Sequence, residues 1–422
     1  MRFPARYRIR GKDEPVPLLT AHIHANKTFY LVYGVDDETR NPDWLAEIFE
    51  WLSCGHEVGR TARDSIGRFP FSDSVFSRQG ISPRQPHAML MMSWLESLLR
   101  CGGSSQGLPK APSPVPGVEH FVICSHDVDF LYTGKLSSLL RLCKNLAISI
   151  WPYRSWSFFV WNLRQILAVV AGRRIGEYLR PLHEASREYD FQSTVFVVSN
   201  RAHRRDPNYR IEDVARQLAV GVSPGFSVGL HGSYTSSIEA GDLASEARAI
   251  ESSLATKPLG NRQHWLRFGD HEQFFRTLED AGFLYDSTLG FSETPGFRNG
   301  ACFAFPPYDF KNERPYPFLE IPLVLMDGNV EADSRSSGEK ADAIANEVLE
   351  SSRRWGWGGI SALWHNPIEP VQVPESINSI FWDCVRNQRA HQEKWISADE
   401  FLRLSLKRYQ DAGLLLGARI DA

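Results

Sequence analysis

Residues 118–129 read VEHFVICSHDVD, an apolar run that ends in two acidic residues. The run 120–125 is short and rich in β-branched and aromatic residues, so it predicts a buried strand. Asp127 and Asp129 are two positions apart, and an extended backbone would place both carboxylates on the same side. In β/α folds the chemistry gathers at the carboxyl ends of strands. The stretch therefore predicts a β/α fold with an acidic site after its first strand; a solvated turn or a helix cap is the alternative.

The same pattern recurs along the chain, where short apolar runs alternate with helical segments. Two runs end in a histidine, His231 after 226–230 and His365 after 360–364, and a neutral imidazole can bind a metal. A third predicted strand, 264–268, contains Arg267, which could hold a carboxylate through two hydrogen bonds. The run 319–326 is also predicted to be one strand. Structural, hydrogen-bonded histidines are the alternative. About seven strand–helix pairs predict a distorted (β/α) barrel of about seven strands, with an open doubly wound sheet as the alternative.

The predicted barrel is preceded by a different kind of sequence. Residues 1–117 predict a small α/β N-terminal domain, with a strand at 29–33 and helices at 43–52 and 87–99. It ends in CGGSSQGLPKAPSPVPG, a Gly-, Ser- and Pro-rich linker. We therefore predict two units, 1–117 of unassigned function and 118–422 as the barrel.

Composition excludes several classes of partner. The chain has 47 basic and 50 acidic residues and a net charge of −3, so it lacks the basic footprint of a nucleic-acid-binding protein. It contains neither a G-x-G-x-x-G nor a P-loop motif, which argues against a nucleotide cofactor. The N-terminus has no apolar signal segment and the six cysteines form no C-x-x-C pair, which is typical of a cytoplasmic protein.

One segment, 130–175, has an unusual composition. It contains no acidic residue, and its lysines and arginines alternate with Trp, Phe, Leu and Ile. This is the composition of a helix that lies in a membrane interface, and a peripheral contact with the inner membrane is one interpretation, although amphipathic stripes usually belong to the core. Ordinary helices whose arginine stems cover apolar surface are the alternative. Because the segment directly follows the aspartate pair, we expect it beside the site.

The order of these motifs resembles the polysaccharide deacetylases (family-4 carbohydrate esterases), in a divergent bacterial branch, over residues 118–410. The resemblance implies that Asp127 is the general base and that Asp129 and His231 bind the metal. It also implies that His365 is the catalytic acid.

The resemblance further implies that Arg267 orients the base and that Asp286 pairs with this arginine. The chain departs from the family at Thr235, where a second metal-binding histidine is expected. A zinc site needs at least three protein ligands, so His264 is the candidate for the third. Strict alternation would separate His264 from Arg267, so this assignment requires an irregular backbone. His126 is the alternative, although it is out of phase with the aspartates.

The resemblance implies a metal-dependent hydrolase that removes an N-acyl (acetyl) group from an amino sugar, with zinc as the metal and cobalt or nickel as alternatives. A cytoplasmic enzyme would act on a lipid- or nucleotide-linked glycan precursor. The alternatives are an inactive sugar-binding or scaffolding homologue and a C–N hydrolase of small non-sugar amides. Trp265, Tyr234 and Trp364 are candidates for a sugar platform. A loop at 291–308 is predicted over the site, where Arg298 would meet an anion; a purely structural loop is the alternative.

Overall fold

The N-terminal part of the chain forms a small α/β region. The computed structural model describes residues 20–24, 27–31, 43–101, 113, 115–131, 135–151, 156–172, 179–218, 226–238, 242–355, 359–365, 377–411 and 413. An antiparallel hairpin, β1 (Thr20–His24) and β2 (Lys27–Leu31), precedes the helices α1 (Trp44–Leu52), α2 (Val75–Gln79) and α3 (His87–Cys101). Helix α1 begins after Asp43, whose carboxylate accepts a hydrogen bond from the amide of Ala46 and so caps the first turn.

A single parallel sheet follows and carries the rest of the chain. Its strands are β3 (His120–Asp127), β4 (Ser193–Val197), β5 (Phe226–Gly232), β6 (Gly260–Gln263), β7 (Tyr285–Asp286), β10 (Leu319–Glu320), β11 (Leu323–Met326), β12 (Gly359–Leu363) and β13 (Glu393–Ile396), and a separate antiparallel pair is formed by β8 (Tyr308–Asp309) and β9 (Arg314–Pro315). The helices are α4 (Lys135–Ile150), α5 (Trp156–Val170), α6 (Leu179–Tyr189), α7 (Ile211–Leu218), α8 (Asp242–Leu254), α9 (His271–Ala281), α10 (Asp327–Ser337), α11 (Ala341–Trp355), α12 (Asn378–Asn387) and α13 (Ala398–Asp411).

The predicted α/β barrel class is confirmed. Eight strands lie in the order β10-β7-β6-β5-β4-β3-β12-β11 with parallel pairing throughout, and β13 pairs with the amino-terminal half of β3. Within the described residues, no strand pairing joins the end strands β10 and β11, so the barrel is distorted and not closed by hydrogen bonds. All eight residues of β3 are buried, as expected for a strand covered on both faces.

Two details of the predicted strands are wrong. The run 264–268 is not a strand, because β6 ends at Gln263 and a short 3₁₀ turn, His264–Leu266, follows with Trp265 at φ 66°. The run 319–326 is divided into β10 and β11, and the break contains Pro322, which has no backbone N–H to donate to a ladder.

The N-terminal region packs closely on the barrel. Its core, built around Trp51 and Phe76, includes Phe291 of the barrel, whose ring centroid lies 6.0 Å from that of Phe76. Arg84 forms ion pairs with three acids of the barrel helices and their connection, Asp333, Glu339 and Glu347. Most of the predicted linker lies outside the described residues, and the division at residue 117 stays a prediction.

The segment 130–175 forms the helices α4 and α5, which pack against each other as a hairpin. In the described parts of the chain, no helix has both the length and the apolar character needed to cross a membrane.

Candidate metal and catalytic site

Four strands bring their carboxyl ends to one point. Asp127 ends β3 and Asp129 follows it, His231 lies near the end of β5, and His264 follows β6. His365 follows β12, the other neighbour of β3. Because the strands are parallel, these ends share one edge of the sheet, as expected for a β/α site.

Three side chains form a candidate metal site. The Nε2 atoms of His231 and His264 lie 3.3 and 3.5 Å from Oδ1 of Asp129, and one ligand atom from each residue lies within 4.8 Å of the other two. A tetrahedral zinc with bonds of about 2.0–2.1 Å would separate its ligand atoms by about 3.4 Å. Oδ1 of Asp129 is buried and has no hydrogen-bond partner among the described residues. Two imidazole nitrogens and an unsatisfied carboxylate oxygen therefore fit a divalent cation of the zinc type.

The backbone sets the orientation of His231. Its Nδ1 lies 2.7 Å from the carbonyl oxygen of Arg262, on the neighbouring strand β6. If this nitrogen carries the proton, it donates to the carbonyl and leaves a lone pair on Nε2 towards Asp129. The backbone becomes irregular directly after His264, because Trp265 and Leu266 both have positive φ, at 66° and 51°. The irregular backbone on which the assignment of His264 depends is therefore present.

The charge of Asp129 is stabilised by its neighbours. Burial acts to raise the pKa of Asp129, but the close contact with His231 and the charges of His264 and His365 outweigh it and hold this pKa well below its usual value. The carboxylate is thus ionised, as a metal ligand must be. Its side chain is 38% exposed, so this corner of the site is open to solvent.

His365 is held by Asp327, a residue that the sequence analysis did not identify. Nδ1 of His365 lies 2.7 Å from one carboxylate oxygen of Asp327, and its backbone N–H donates to the other at 3.0 Å. Burial acts to lower the pKa of His365, but the charge of Asp327 and its hydrogen bond, with Asp129 adding, raise it to about 10. The Nε2 atom faces the site, 3.6 Å from Oδ2 of Asp129. The sequence could have identified Asp327 as a candidate site residue, because it directly follows the strand β11.

The arginine that contacts Asp127 is Arg262, not the predicted Arg267. Nη1 of Arg262 donates to Oδ1 of Asp127 at 2.9 Å and to the hydroxyl of Ser125 at 2.7 Å. The guanidinium is 1% exposed and also donates to both the carbonyl and the hydroxyl oxygen of Ser287. Arg262 and His264 are two positions apart, so the alternation of β6 places them on the same side. The two-residue spacing of Arg262 and His264 was the feature of the sequence that could have identified Arg262.

Arg267 has a different set of contacts. It donates to the carbonyl oxygens of Ile66 and Tyr234, both at 2.7 Å, and its guanidinium lies over the Tyr234 ring. It therefore joins the N-terminal region to the turn after β5. The left-handed turn at Trp265 and Leu266 reverses the chain direction before Arg267, which explains why this arginine does not reach Asp127.

Asp286 does not pair with an arginine either. It is fully buried, accepts a hydrogen bond from Nδ2 of Asn261 at 2.7 Å and one from the amide of Thr288 at 2.9 Å, and lies opposite Glu320 on β10. Burial raises the pKa of Asp286, and burial together with the charge of Asp286 raises that of Glu320. Burial therefore favours the protonated form of these two carboxyl groups. Ser287, which follows Asp286, connects this pair to the site because it accepts hydrogen bonds from Arg262.

The remaining metal-ligand candidates lie outside the cluster. Thr235 is in the turn after β5, and its hydroxyl is not among the Cys, His and carboxylate groups that zinc prefers. His126 points to the other side of β3, where its Nδ1 lies 2.8 Å from the carbonyl oxygen of Trp364. Burial lowers the pKa of His126 to about 4, so the ring is neutral. His126 is therefore not the third ligand.

The predicted sugar platform is only partly accessible. Trp265 is 42% exposed, with its ring centroid 5.5 Å from that of His264, and Tyr234 is half-buried with its ring stacked on His203 at 4.3 Å. Trp364 is buried in the core against Phe381 and cannot face a sugar. The loop at 291–308 is largely buried.

The anion-binding role of Arg298 in this loop is wrong. Its guanidinium is buried, and Nη2 donates to Glu57 of the N-terminal region at 2.6 Å. The alternative of a structural loop fits these contacts.

Comparison with known proteins finds likeness in structure only. No family model and no curated protein matches the chain. Three solved structures are similar to it. The allantoinase PuuE has 15% identity and a TM-score of 0.40, and the match covers 72% of this chain and 98% of that one. A probable polysaccharide deacetylase from Pseudomonas aeruginosa has 15% identity, a TM-score of 0.38 and coverage of 71% and 95%, and the peptidoglycan deacetylase PdaC from Bacillus subtilis has 8% identity, a TM-score of 0.33 and coverage of 71% and 97%. Because all three TM-scores are below 0.5, the chemistry of the site is argued from this chain's own residues.

Proposed function

We propose that this protein is a metal-dependent hydrolase that removes an N-acetyl group from an amino sugar of a glycan or glycolipid precursor. One observation carries the proposal: a base candidate, an acid candidate and three metal-ligand candidates converge where the strands end, although they are far apart in sequence. Such a set of groups suits hydrolysis of an amide. The peripheral membrane contact of 130–175 is part of the same proposal.

Asp129, His231 and His264 would hold the metal. When bound, a divalent cation would polarise the acyl carbonyl and make a nearby water more acidic. Asp127 accepts the proton of the attacking water, and Arg262 keeps its carboxylate oriented for this step. His365 donates a proton from Nε2 to the departing sugar nitrogen as the C–N bond breaks, and Asp327 fixes its ring through Nδ1. The balance is one water consumed, with acetate and a free amine formed.

The reaction is tested with the purified full chain. Acetate release is measured from N-acetylated amino-sugar oligosaccharides and, in parallel, from linear and cyclic small amides, while metal content is measured by elemental analysis. We expect acetate from the sugars and about one equivalent of metal. Asp127→Asn should lower kcat by at least about 10²-fold and keep the metal, whereas Asp129→Ala should lose the metal.

Each alternative has its own outcome. Less than about a tenth of an equivalent of metal, with sugar binding unchanged in Asp129→Ala, would support an inactive sugar-binding protein. Turnover of small amides without turnover of sugars would replace the substrate class and leave the site assignment intact.

A further inference from the structure

The hairpin formed by α4 and α5 carries most of the exposed large apolar side chains of the described chain. Eight of the eleven such residues belong to it: Leu136, Leu140, Ile150, Trp151, Trp156, Leu163, Leu167 and Val170. Trp151 and Trp156 lie at its tip and are 68% and 75% exposed. Exposed apolar surface concentrated in one place marks an interaction site.

The apolar side chains form one stripe on each helix. On α4 the positions 136, 140, 143, 147 and 150 are exposed, and on α5 the positions 156, 163, 167 and 170 are exposed. Steps of three, four and seven residues place each set on one helix face. Because a surface helix normally turns its apolar stripe towards the core, these two stripes face the wrong way for a structure surrounded by water alone.

The buried positions of the hairpin include three polar side chains. Ser138, Ser149 and Asn162 are at most 2% exposed. The hydroxyl of Ser149 donates to the carbonyl oxygen of Leu146 at 2.6 Å, and Nδ2 of Asn162 donates to the carbonyl oxygen of Phe158 at 2.7 Å. Oδ1 of Asn162 is buried and has no hydrogen-bond partner among the described residues. The hairpin therefore buries three polar side chains together with Leu142 and Val169, while eight of its large apolar side chains are exposed.

The charges around the stripes have one sign. The hairpin contains no acidic residue, while Arg141, Lys144 and Arg164 are exposed. Anionic lipid headgroups complement such a surface, and Trp side chains prefer the interface between headgroups and acyl chains. A second copy of the chain is a poorer partner, because a two-fold interface would bring the same basic faces together without a counter-charge.

The hairpin is also close to the candidate site. Only six positions separate Asp129 from Lys135, the first residue of α4. Six extended residues span at most about 20 Å, so the base of the hairpin lies within that distance of the metal ligand. The amino-terminal end of α4 is therefore near the mouth of the site at Asp129 and His365.

We propose that the hairpin docks the protein on anionic lipid bilayers through the apolar stripes of α4 and α5, and that it holds the site near substrates carried on a lipid. The second half rests on the proposed function and names its substrate class, a lipid-linked N-acetylated sugar. The first half does not depend on catalysis.

Docking is tested by sedimentation with vesicles of phosphatidylcholine alone and of phosphatidylcholine with about 30% phosphatidylglycerol. Two hairpin variants are compared with the full chain, Leu140→Gln/Trp156→Gln/Leu167→Gln for the stripes and Lys144→Glu/Arg164→Glu for the charge. Leu45→Gln, which changes an exposed leucine of the N-terminal region, is the matched control. Thermal melting checks that each variant is folded.

We expect the full chain and Leu45→Gln to sediment with the anionic vesicles and the tryptophan emission to shift to shorter wavelength. The stripe variant should lose more than about tenfold in partitioning with its melting temperature kept, and the charge variant should lose binding to the anionic vesicles. A full chain that stays in the supernatant would overturn the proposal. So would stripe variants that sediment equally, or light scattering that shows a dimer dissociated by the stripe variant without any vesicle binding.

The experiments distinguish a failure of the docking proposal from a failure of the proposed catalytic function. Asp127→Asn should sediment like the full chain, so the vesicle result holds whether or not acetate is released. With both activities present, the full chain should deacetylate a lipid-linked N-acetyl sugar in anionic vesicles faster than the stripe variant does, while both turn over a water-soluble substrate equally. Equal rates in vesicles would overturn the lipid-linked substrate.

Discussion

At the scale of single residues, the candidate site depends on a backbone conformation that few side chains adopt. Trp265 and Leu266 both lie in the left-handed region, which is uncommon for residues with a Cβ. These two residues lie between His264, which faces Asp129, and Arg267, which donates to the carbonyl oxygen of Ile66. Strain of this kind persists where the surrounding structure holds it, and it is found at functional sites.

The third metal ligand can be tested at this scale. We predict that His264→Ala lowers the bound zinc by at least about tenfold, because a tetrahedral site loses one of its three protein ligands. Thr235→Ala should keep the zinc of the parent protein, since zinc is bound by Cys, His and carboxylate side chains and not by a threonine hydroxyl. Metal content after dialysis checks both. Loss of zinc from Thr235→Ala with retention in His264→Ala would contradict the assignment.

We predict opposite effects on catalysis for substitutions of Arg262 and Arg267. Arg262→Gln removes the guanidinium that contacts Asp127, and we predict a fall in kcat of about 10–100-fold with KM little changed. The folded fraction is checked by circular dichroism. Arg267→Gln removes contacts to Ile66 and Tyr234, so it should lower the melting temperature and leave kcat near the parent value. The reverse pattern would restore the role first predicted for Arg267.

At the scale of elements, β3 is the strand on which the barrel is organised. Its amino-terminal half pairs with β13 and its carboxyl-terminal half with β4, while β12 follows it along the other side. At the start of the two strands His120 Nδ1 lies 2.8 Å from Oε1 of Glu393, and Nε of Arg353 donates to the same oxygen at 2.7 Å. This buried group of charges anchors the last strand at the end of the sheet opposite the site.

The anchor predicts a pH dependence of stability. Burial acts to raise the pKa of Glu393, but the hydrogen bonds and charges of His120 and Arg353 lower it to about 2. A carboxyl group whose folded pKa is below its unfolded pKa stabilises the fold above the unfolded value, and the effect is lost as the pH falls towards the folded value. The window here is about pH 4.5 to 2.

Urea unfolding of the parent and of Glu393→Gln measures this effect. The parent should be more stable by up to about 3 kcal/mol at pH 7, and the difference should shrink by about 1–2 kcal/mol at pH 3.5. A difference that stays constant between these two pH values would show that the charge of Glu393 does not contribute.

At the scale of the whole molecule, the N-terminal region and the barrel share a buried ion pair. Arg298 and Glu57 are at most 3% exposed, and the guanidinium is also surrounded by the rings of Phe69, Phe268 and Phe291. The charge of Arg298 and its hydrogen bond lower the pKa of Glu57 although burial opposes this, so the pair is ionised. Removing one member leaves the other charge buried without a partner.

We predict that Glu57→Gln lowers the free energy of unfolding by about 3–5 kcal/mol. Glu272→Gln, which breaks the exposed pair with Arg276, is the matched control and should cost less than about 1 kcal/mol. Chemical denaturation monitored by tryptophan fluorescence checks both. If the predicted domain 1–117 were loosely attached, the two variants would behave alike.

Much of the organisation follows from local patterns. The alternation of apolar runs and helical segments predicted the α/β barrel class, and the positions of Asp127, Asp129, His231 and His365 after such runs predicted the edge of the sheet at which they lie. These inferences succeed because the burial of a strand and the side to which each of its side chains points depend on a few neighbouring residues.

The partners of those residues were decided by the tertiary structure. Arg262 reaches Asp127, and Asp327 reaches His365, across strands whose pairing depends on the whole sheet. The arginine was assigned to position 267 because the left-handed turn inside 264–268 cannot be recognised from the spacing of apolar residues. Composition alone marked 130–175 as unusual, but the outward direction of its apolar stripes is a property of how two helices pack. Sequence determined which groups stand at the ends of the strands, and long-range packing determined which of them meet, because contact requires register and backbone direction that no short segment contains.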